Sequence, residues 1–416
     1  MANKLGLVAN SPDDQSGPLQ DALLKASAEG RPLFLPPGTY LAGNLQVPSN
    51  LTIEGVPGAS VLAAAAGSAV LRVAGSAYVS LVGLSFGPGA GGPADADSGL
   101  VEIEASGNVS LVNCTFQGGL ANGLMVRDAS ASISNCDFSG HALAAIFSID
   151  SRGLDISKSH VTGCGNGGIL IWGSKNRHDG SIISGNSISG IGWTNGGNGQ
   201  NGNGINVFRS DDVIIADNQI ADCAFSAIRL NSTNNVAVTG NLCRNSGEVA
   251  IFSEFAFTGS VISSNIVDGA AMGISITNLD QGGRLAVCSG NIVRNIRADS
   301  AVNPDTRPVG IYAEADTVIS GNTVDTVPGI GILAGYGPFL RNVVIANNLL
   351  YGTDTGIAAS VVQDPAPGPV RITGNLIGGA REHAIVGMQW ENLVSDDLVR
   401  DAAKYPHITV SDNTVS

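Results

Sequence analysis

The chain has 416 residues, more than one globular core usually contains, so either several domains or a repeat array is expected. Glycine is abundant at 56 residues, while aromatic residues make up 5% and charged residues 13%, which is typical of many short strands and turns. A net charge of −14 with only 21 Lys and Arg argues against nucleic acid as a partner, because that binding needs clustered cations. No run of roughly 18 apolar residues is present, so no membrane-spanning helix is expected.

The N-terminal part of the sequence predicts a capping segment, which would cover the first coil of a solenoid. Residues 1–15 are polar and lack the basic and apolar regions of a secretory signal, so either the protein stays inside the cell or a signal was removed. Residues 17–29 have helical spacing of apolar residues, with Pro18 in the first turn and Gly30 after the end. A solenoid must cover the open core of its first coil. Residues 1–60 are therefore predicted to be an N-terminal cap and the first strands.

A short unit recurs from about residue 100 with a period of about 22 to 32 residues. Each copy alternates apolar and polar residues and then places Asn at one point, as in VIIADNQI, VAVTGNLC and TVISGNTV. Asn tolerates the left-handed backbone of a sharp turn, and its amide can hydrogen-bond the same amide one coil away. The slot holds Cys114, Cys136, Ser159, Asn186, Asn218, Asn241, Asn265, Asn291, Asn322, Asn348, Asn375 and Asn413. The repeat predicts an all-β fold, a single-stranded right-handed parallel β-helix over residues 61–388 with a capping helix before it.

The remaining features predict a C-terminal brace and no cofactor. Residues 389–416 contain Trp390 and the helix-like DDLVRDAAKY, and are predicted to brace the end of the solenoid and to supply its last strand. The cysteines occur singly, without the close pairs of a zinc site, and are predicted to be reduced core residues. The acidic residues are too scattered for a calcium loop, and GGNGQNGNG lacks the GK[ST] of a phosphate loop. Neither a metal nor a nucleotide is expected.

Each predicted strand begins with a small residue and an aliphatic one, such as Gly204-Ile205, which sets the alternation of inward and outward side chains. The first outward row is Met125, Phe147, Leu170, Asn206, Arg229, Phe252, Ser275, Tyr312 and Leu333. The second is Arg127, Ile149, Trp172, Phe208, Asn231, Glu254, Thr277, Glu314 and Gly335. Coils stack about 4.8 Å apart, so neighbours in a row are expected to contact the same bound chain.

From Trp172 to Glu314 these rows mix aromatic rings, amides, one Arg and two carboxylates. This mixture suits sugars, whose apolar faces stack on rings while their hydroxyls need hydrogen-bonding partners. Segments 174–180 and 192–204 are predicted loops beside this face, where the insertions of solenoids tend to cluster. The predicted substrate-binding residues are Trp172, Asn206, Phe208, Arg209, Asn231, Phe252 and Thr277. The expected partner is a poly- or oligosaccharide; the alternative is that the outward rings merely pack beneath loops.

The leading functional hypothesis is a lyase or epimerase that acts on uronic-acid units. Arg229 is predicted to neutralise the substrate carboxylate and so to acidify the neighbouring proton. His178 or Lys175 is predicted to remove that proton, and Tyr312 to protonate the leaving oxygen.

Two other functions stay open at this point. An inverting glycoside hydrolase would use Glu254 and Glu314, two coils or roughly 9 to 10 Å apart, with Asp179 as a third carboxylate. A non-catalytic glycan-binding or envelope scaffold would fit the many Ser, Thr and Asn residues equally well.

The chain contains the segments GCGNGGILIW, GQNGNGINVFRS, DCAFSAIRLNS, GEVAIFSEFAF and GGRLAVCSGN. These segments resemble the bacterial twin-arginine-translocated proteins with β-helix repeats, and the resemblance covers nearly the whole chain. The resemblance implies a β-helix and export to the periplasm or beyond, and it points to no particular biochemical activity. More distantly, the coils look like those of pectate lyases, polygalacturonases and mannuronan epimerases, whose sites lie on the outward strand face. The pair His178-Asp179 differs from the Asp-Pro-His-Asp of the epimerases, so no catalytic role is carried over from them.

Overall fold

The computed structural model describes residues 6–89, 91–197, 199–277, 282–364 and 367–416. It confirms the predicted right-handed parallel β-helix, with about 14 turns in all. The chain forms two compact units, residues 1–206 and 207–416. Each regular coil contains three short strands. Equivalent strands of successive coils pair in parallel and form three faces, which are numbered 1, 2 and 3 in the order in which the chain passes through them. Within the described residues no helix is both long and apolar enough to cross a bilayer.

In the first unit, the described strands pair with their counterparts in the next coil. Face 1 consists of Leu45–Gln46, Leu71–Ala74, Gly99–Glu104, Asn122–Arg127, Ala144–Ile149 and Gly167–His178. Face 2 consists of Leu33–Phe34, Leu51–Glu54, Ala77–Val82, Gly107–Val112, Ala131–Ser134, Asp155–Ser157 and Ile182–Ser184. Face 3 consists of Ser11–Asp14, Gly38–Ala42, Ser60–Ala64, Ser85–Gly87, Thr115–Gln117, Asp137–Ser139, His160–Thr162 and Ser187–Ile191. The strand Asn203–Asp211 contains the boundary between the units.

The second unit has the same three faces. Face 1 consists of Ile228–Asn231, Val249–Glu254, Met272–Thr277, Val309–Ala313 and His383–Gln389. Face 2 consists of Ile214–Ala216, Asn234–Thr239, Thr258–Ser263, Arg284–Ser289, Ala315–Ser320, Arg341–Ala346, Val370–Thr373 and Ile408–Ser411. Face 3 consists of Gln219–Cys223, Leu242–Arg244, Ile266–Ala270, Ile292–Ile296, Leu376–Gly378 and Thr414–Val415.

Some elements of the second unit depart from this pattern. The long strands Thr323–Ala334 and Leu349–Ser360 each run through face 3 and then face 1. The strand Asn392–Ser395 pairs antiparallel with His383–Gln389, which makes a hairpin in the predicted C-terminal brace. The short helices of this unit are Gly337–Phe339, Leu398–Asp401 and Ala402–Lys404.

The predicted N-terminal helix is present and spans Ser16–Ala28. Its buried residues are Leu19, Ala22, Leu23 and Ala26. Gly30 follows the end of the helix, and its positive φ of 60° is a conformation that favours glycine. Leu19 and Leu23 line one small apolar space together with Leu33, Leu45 and Leu71 of the first coils. The helix therefore covers apolar side chains at the start of the solenoid, while the division into 1–60, 61–388 and 389–416 stays a prediction.

The predicted asparagine ladder is confirmed in the second unit. At each step one Oδ1 accepts hydrogen bonds from both the backbone N–H and the side-chain amide of the Asn in the preceding coil, at 2.8–3.0 Å. The column consists of Asn218, Asn241, Asn265, Asn291, Asn322, Asn348, Asn375 and Asn413. One part of the expectation is wrong, because the left-handed residue is the one before the ladder position, such as Asp217 or Gly240. The ladder Asn itself points inward, where its amide can reach the next coil.

In the first unit the same slot holds Cys114, Cys136 and Ser159 before Asn186. Ser159 accepts a hydrogen bond from the backbone N–H of Cys136 at 3.1 Å, and its own N–H donates to Asn186 Oδ1 at 2.9 Å. All six cysteines are buried and free, as predicted. Three stacked rings, Phe86, Phe116 and Phe138, fill the interior beside them, with centroids 4.9 and 4.5 Å apart. Two thiols and a hydroxyl thus take the place of the amides here, next to a stack of aromatic rings.

His141 is a buried titratable group in the first unit. It is 1% exposed, and its Nδ1 accepts a hydrogen bond from the backbone N–H of Gly119 at 3.1 Å. This bond assigns the ring proton to Nε2, which is buried and has no hydrogen-bonding partner among the described residues. Burial lowers the pKa of His141 from 6.5 to about 4. Folding therefore favours the neutral imidazole.

We predict that Asn322→Ala lowers the free energy of unfolding by about 2–4 kcal/mol, because the N–H groups of Asn291 lose their shared acceptor inside the protein. Asn413→Ala is the matched control, since Asn413 occupies the same slot but is only half-buried. Chemical denaturation of both variants measures the difference. Equal losses at the two positions would show that burial of the column is not what makes it stabilising.

We predict that the free energy of unfolding falls as the pH is lowered from 6.5 towards 4, by up to about 3 kcal/mol from His141 alone. The contribution of His141 to stability is complete above pH 6.5. It is lost as the pH falls, because the imidazole of the unfolded chain binds a proton at a higher pH than the buried imidazole does. His141→Gln should remove this part of the pH dependence, whereas His160→Gln, at an exposed side chain, should leave it unchanged. Denaturation curves recorded between pH 7 and 4 test this; parallel curves for all three proteins would contradict it.

Candidate functional site

The predicted outward rows are confirmed as strand registers within each unit. In the first unit Met125 pairs with Phe147, and Phe147 with Leu170. In the second unit the paired row is Arg229, Phe252, Ser275, Tyr312 and Leu333. The pairing of Asn231, Glu254 and Thr277 forms the second row.

In the first unit the outward face is largely covered. Met125, Phe147 and Leu170 are only 2%, 8% and 7% exposed. The ring of Trp172 packs edge-on against Phe147, with centroids 5.0 Å apart. Asn206 is also buried. These contacts fit the alternative in which outward rings pack against their neighbours, so this unit offers a sugar little ring surface.

The segment predicted as a loop at 174–180 is mostly strand, which corrects that prediction. Strand Gly167–His178 extends through it, and Ser174 donates its backbone N–H to Asp150 Oδ1 at 2.9 Å. The extended backbone therefore continues beyond Trp172, the last position in register with the preceding coil. The other predicted loop, 192–204, includes residue 198, which lies outside the described residues.

The three candidate catalytic residues of this segment have different environments. Lys175 and His178 are exposed. Asp179 is 1% exposed and accepts hydrogen bonds from the backbone N–H of Ser181, at 3.1 Å, and from the Ser181 hydroxyl. Lys175 and His178 are therefore accessible to a ligand, whereas the Asp179 carboxylate is engaged in a local turn.

In the second unit Arg229 lies in a buried ion cluster. It is 8% exposed, and its guanidinium binds both oxygens of Glu254, at 2.8 and 3.0 Å. A third N–H donates to Glu248 Oε2 at 3.2 Å. Asn231 donates to Glu254 at 2.8 Å, and Asn303 donates to Glu248 at 2.7 Å. Bidentate contacts of this kind fix both partners in one geometry.

The ion cluster holds two buried carboxylates and one cation, so their charges are compensated only in part. Glu254 is 2% and Glu248 is 4% exposed, so both carboxylates depend on Arg229 and on amides for stabilisation. Burial raises the pKa of Glu248, and the attraction of Arg229 offsets only part of that effect. The Arg229 guanidinium also lies 4.9 Å from the centroid of the Phe252 ring. Arg229 thus serves two carboxylates and one ring of its own chain.

The insertion 297–308, between strands Ile292–Ile296 and Val309–Ala313, is attached to this ion cluster. Asn303 contacts Glu248 as described, and the Ser300 hydroxyl donates to the backbone oxygen of Gly247 at 2.7 Å. Arg297 donates to Asn245 Oδ1 at 3.2 Å and to the backbone oxygen of Ser246. Four contacts therefore hold the insertion on an earlier coil of the same unit.

The insertion forms one wall of a cleft on face 1 of about 620 Å³. The cleft is lined by Met272, Pro304, Asp305, Arg307, Val309, Tyr312, Leu333, Tyr336 and Glu391. Apolar side chains and two tyrosine rings come from the strands and the turn after them. The charged groups come from the two segments added to the regular coils, the insertion 297–308 and the hairpin tip at 390–391.

Tyr312 is the sequence-predicted residue that lies in this cleft. Its hydroxyl donates to Glu314 Oε1 at 2.8 Å, and Glu314 is fully buried. Burial of the ring and the adjacent Glu314 carboxylate hold the pKa of Tyr312 well above its ordinary value. Tyr312 is therefore protonated at neutral pH, as a proton donor must be.

Arg307 and Glu391 meet at the rim of the cleft. Their side chains form an ion pair and are 49% and 56% exposed. The Tyr336 hydroxyl lies 3.4 Å from Glu391 Oε1. The preceding residue, Trp390, packs edge-on against Tyr336 with ring centroids 5.1 Å apart. A cation, a carboxylate and two rings are thus in mutual contact at one edge.

The structure brings some predicted site residues together and not others. Arg229, Asn231, Phe252 and Glu254 are in contact, and Tyr312 contacts Glu314, within the second unit. Thr277 is buried, and the Arg209 guanidinium lies 4.7 Å from the Phe208 ring centroid, apart from the cleft lining. The site residues that were not predicted from the sequence are Glu248, Asn303, Asp305, Arg307, Tyr336 and Glu391. Among the described residues no group of three or more His, Cys, Asp or Glu is arranged to hold a metal ion.

The spacing of the ladder contains a signal for two of the missed residues. Steps within the second unit are 23 to 27 residues long, except for 31 from Asn291 to Asn322 and 38 from Asn375 to Asn413. The first long step contains Arg307 and the second contains Glu391. An unusually long interval therefore marks each segment that contributes charge to the cleft.

Comparison with known proteins supports the fold. A family model described as the right-handed β-helix region matches residues 99–200. A search of curated proteins finds no relative. The resemblance to twin-arginine-translocated proteins therefore stays a prediction from the sequence.

Solved structures with the same fold have diverse descriptions. An alginate lyase in complex with a trisaccharide is 13% identical, with a TM-score of 0.56 over 99% of this chain and 95% of that one. PfbA, a surface adhesin of Streptococcus pneumoniae, is 15% identical, with a TM-score of 0.53 over 86% and 92%. The pre-mature gene product 12 of bacteriophage phi29 is 14% identical, with a TM-score of 0.53 over 100% and 52%. At these identities the comparison establishes the fold and not an activity.

We predict that Arg229→Met destabilises the protein by about 3–5 kcal/mol, because two buried carboxylates lose their cation. The loss should shrink as the pH falls, since protonation relieves the uncompensated carboxylates. Arg294→Met is the control, because Arg294 forms an exposed pair with Asp268 and should change stability by less than about 1 kcal/mol. Urea denaturation at pH 7 and pH 5 measures both effects, and a pH-independent loss would contradict the explanation.

Proposed function

We propose that the cleft of the second unit binds carbohydrate and that the protein is a lyase or epimerase acting on uronic-acid-containing glycans. One observation supports this more than any other: a guanidinium, two tyrosine rings and an apolar floor meet in one cleft on the outward strand face. Rings and apolar side chains suit the faces of a sugar, and the guanidinium suits its carboxylate. The volume of about 620 Å³ is that of an ordinary small-ligand site.

In this proposal Arg307 takes the role that the sequence had suggested for Arg229. Arg229 is buried and bound by two carboxylates, so a substrate carboxylate would have to compete with both. Arg307 is half-exposed and lines the cleft. Neutralising the substrate carboxylate acidifies the proton on the adjacent carbon, which is the first requirement of elimination or epimerisation.

The proton transfers are assigned to groups that line the same cleft. We assign removal of the acidified proton to Asp305, because this carboxylate lines the cleft, whereas Glu391 occupies the side of Arg307 that the substrate carboxylate needs. In elimination the electron pair of the broken C–H bond forms the new double bond as the glycosidic oxygen leaves. The Tyr312 hydroxyl donates its one proton to Glu314 at 2.8 Å, so it must turn away from Glu314 to protonate that oxygen. His178 and Lys175 lie in the first unit. The prediction that one of them removes the substrate proton is separate from this proposal.

The other functions are less favoured by the geometry. An inverting hydrolase with Glu254 and Glu314 needs two carboxylates that reach the sugar, but Glu254 is bound bidentately by Arg229 and Glu314 is fully buried. A non-catalytic glycan-binding protein would use the same cleft without turnover. An extracellular or periplasmic location, implied by the family resemblance, would bring the protein to such glycans.

We predict that the protein releases unsaturated products from at least one uronate polymer, with alginate and polygalacturonate tested first. Tyr312→Phe should reduce the rate at least about 100-fold by removing the proton donor, and Arg307→Gln should reduce it by a similar factor. Tyr351→Phe is the matched control, because Tyr351 is 61% exposed and outside the cleft.

The ultraviolet absorbance of the unsaturated product measures elimination, and proton exchange at the uronate carbon measures epimerisation. New reducing ends without such absorbance would identify a hydrolase instead. Binding with no turnover would identify a scaffold. Unchanged rates in both cleft variants would place the active site elsewhere.

A further inference from the structure

We infer that Glu391 is an internal competitor for the substrate carboxylate: it occupies the carboxylate position of the cleft and is displaced when an acidic glycan binds. The inference rests on the proposed function, because it assumes that the cleft binds a glycan. It goes further by assigning a regulatory role to a residue of the chain itself and by explaining how acidic glycans would be distinguished from neutral ones.

The position of Glu391 is that of a bound carboxylate. It contacts the Arg307 guanidinium and lies 3.4 Å from the Tyr336 hydroxyl, the two hydrogen-bond donors at this edge of the cleft. The carboxylate of a uronate in the cleft would be bound by the same two groups, because a guanidinium and a hydroxyl both donate hydrogen bonds to carboxylate oxygens. Glu391 and the ligand therefore cannot both be fully bound.

The backbone that carries Glu391 is held firmly, so that the side chain alone needs to move. Trp390 lies at the tip of the hairpin with a φ of 55°, a left-handed conformation that is uncommon for an aromatic residue. Its ring covers Gly337, where an added Cβ would lie 2.4 Å from the ring, and packs against Tyr336. The hairpin tip is thereby locked, and Glu391 can rotate towards solvent without unfolding it.

The opposite partner is equally well supported. Arg307 belongs to the insertion 297–308, which Asn303 and Ser300 attach to the coil that carries the buried ion cluster. The guanidinium is thus presented at a defined place whether or not Glu391 is bound. When Glu391 leaves, Arg307 is available to a ligand and does not need to be repositioned.

The Arg307–Glu391 ion pair is weak enough for a ligand to displace Glu391. Both side chains are about half exposed, and exposed ion pairs are weak because water and salt screen them. A ligand carboxylate can therefore displace Glu391 at a modest loss of affinity, about two- to fivefold. A neutral glycan has no group that replaces Glu391 on Arg307, so it leaves the pair intact and gains nothing from the cation.

Two other exposed pairs of this unit are arranged differently. Arg294 and Asp268 are paired positions of neighbouring strands on face 3, and Arg381 reaches Asp354 of the preceding coil. Those pairs connect consecutive coils, and neither lines the cleft. Arg307–Glu391 connects two added segments across a binding cleft, which is why we assign it a different role.

The test compares the full chain with Glu391→Gln, which keeps the size of the side chain and its contact with Tyr336 but removes the charge. Asp268→Asn is the matched control, because it removes the charge from an exposed pair outside the cleft. The probes are tetramers of galacturonate, mannuronate and guluronate, together with their methyl esters, which lack the negative charge. Isothermal titration calorimetry measures the affinities.

We expect Glu391→Gln to tighten binding of the acidic tetramer by about two- to fivefold and to leave the ester unchanged. Asp268→Asn should change neither. If the natural chain binds a uronate and Glu391→Gln binds it no better, or tightens the ester equally, the inference fails while the proposed function stands. If neither protein binds any uronate tetramer, the proposed function fails and the inference fails with it.

Discussion

The column of asparagines is the constraint on which the second unit depends. Each Oδ1 accepts two hydrogen bonds from the coil before it, so each Asn is held in a fixed position relative to the Asn of the neighbouring coil. Strand side chains alternate with a period of two, and a shift of one residue would exchange the inner and outer faces. By preventing such a shift, the column determines that Arg229, Phe252 and Tyr312 share the outward row.

A column of fixed pitch also determines where additional residues can go. The coil interior is filled and the hydrogen-bonded distance between successive ladder amides is constant, so residues beyond the usual number must project outside the solenoid. The two longest steps of the second unit do so on face 1, and they contribute Arg307 and Glu391 to one cleft. The regular coils supply the rings and apolar floor of that cleft, and the irregular segments supply its charges.

The same contrast explains what was predictable. Alternation and the recurrent Asn predicted the fold, the ladder and the outward rows, because each is a property of the repeat. The repeat did not reveal that Glu248 and Asn303 bind Arg229 and so engage its charge, since Asn303 lies in an insertion without periodicity. It also placed the left-handed turn on the ladder Asn instead of on the residue before it. Contacts between an insertion and an earlier coil depend on a loop conformation that no repeat encodes.

Arg229 and Arg307 of the second unit differ in burial, and they have different roles for that reason. Arg229 is enclosed by Glu248 and Glu254, and losing it would leave buried charge uncompensated, so its energetic importance lies in folding and in holding the insertion 297–308. Arg307, carried by that insertion, is half-exposed and pairs with a carboxylate that water already screens. A cation can bind an external anion only if its internal partner is weak. Arg229 binds Glu248, which in turn holds Asn303 of the insertion. Arg307 is half-exposed and can exchange Glu391 for a ligand.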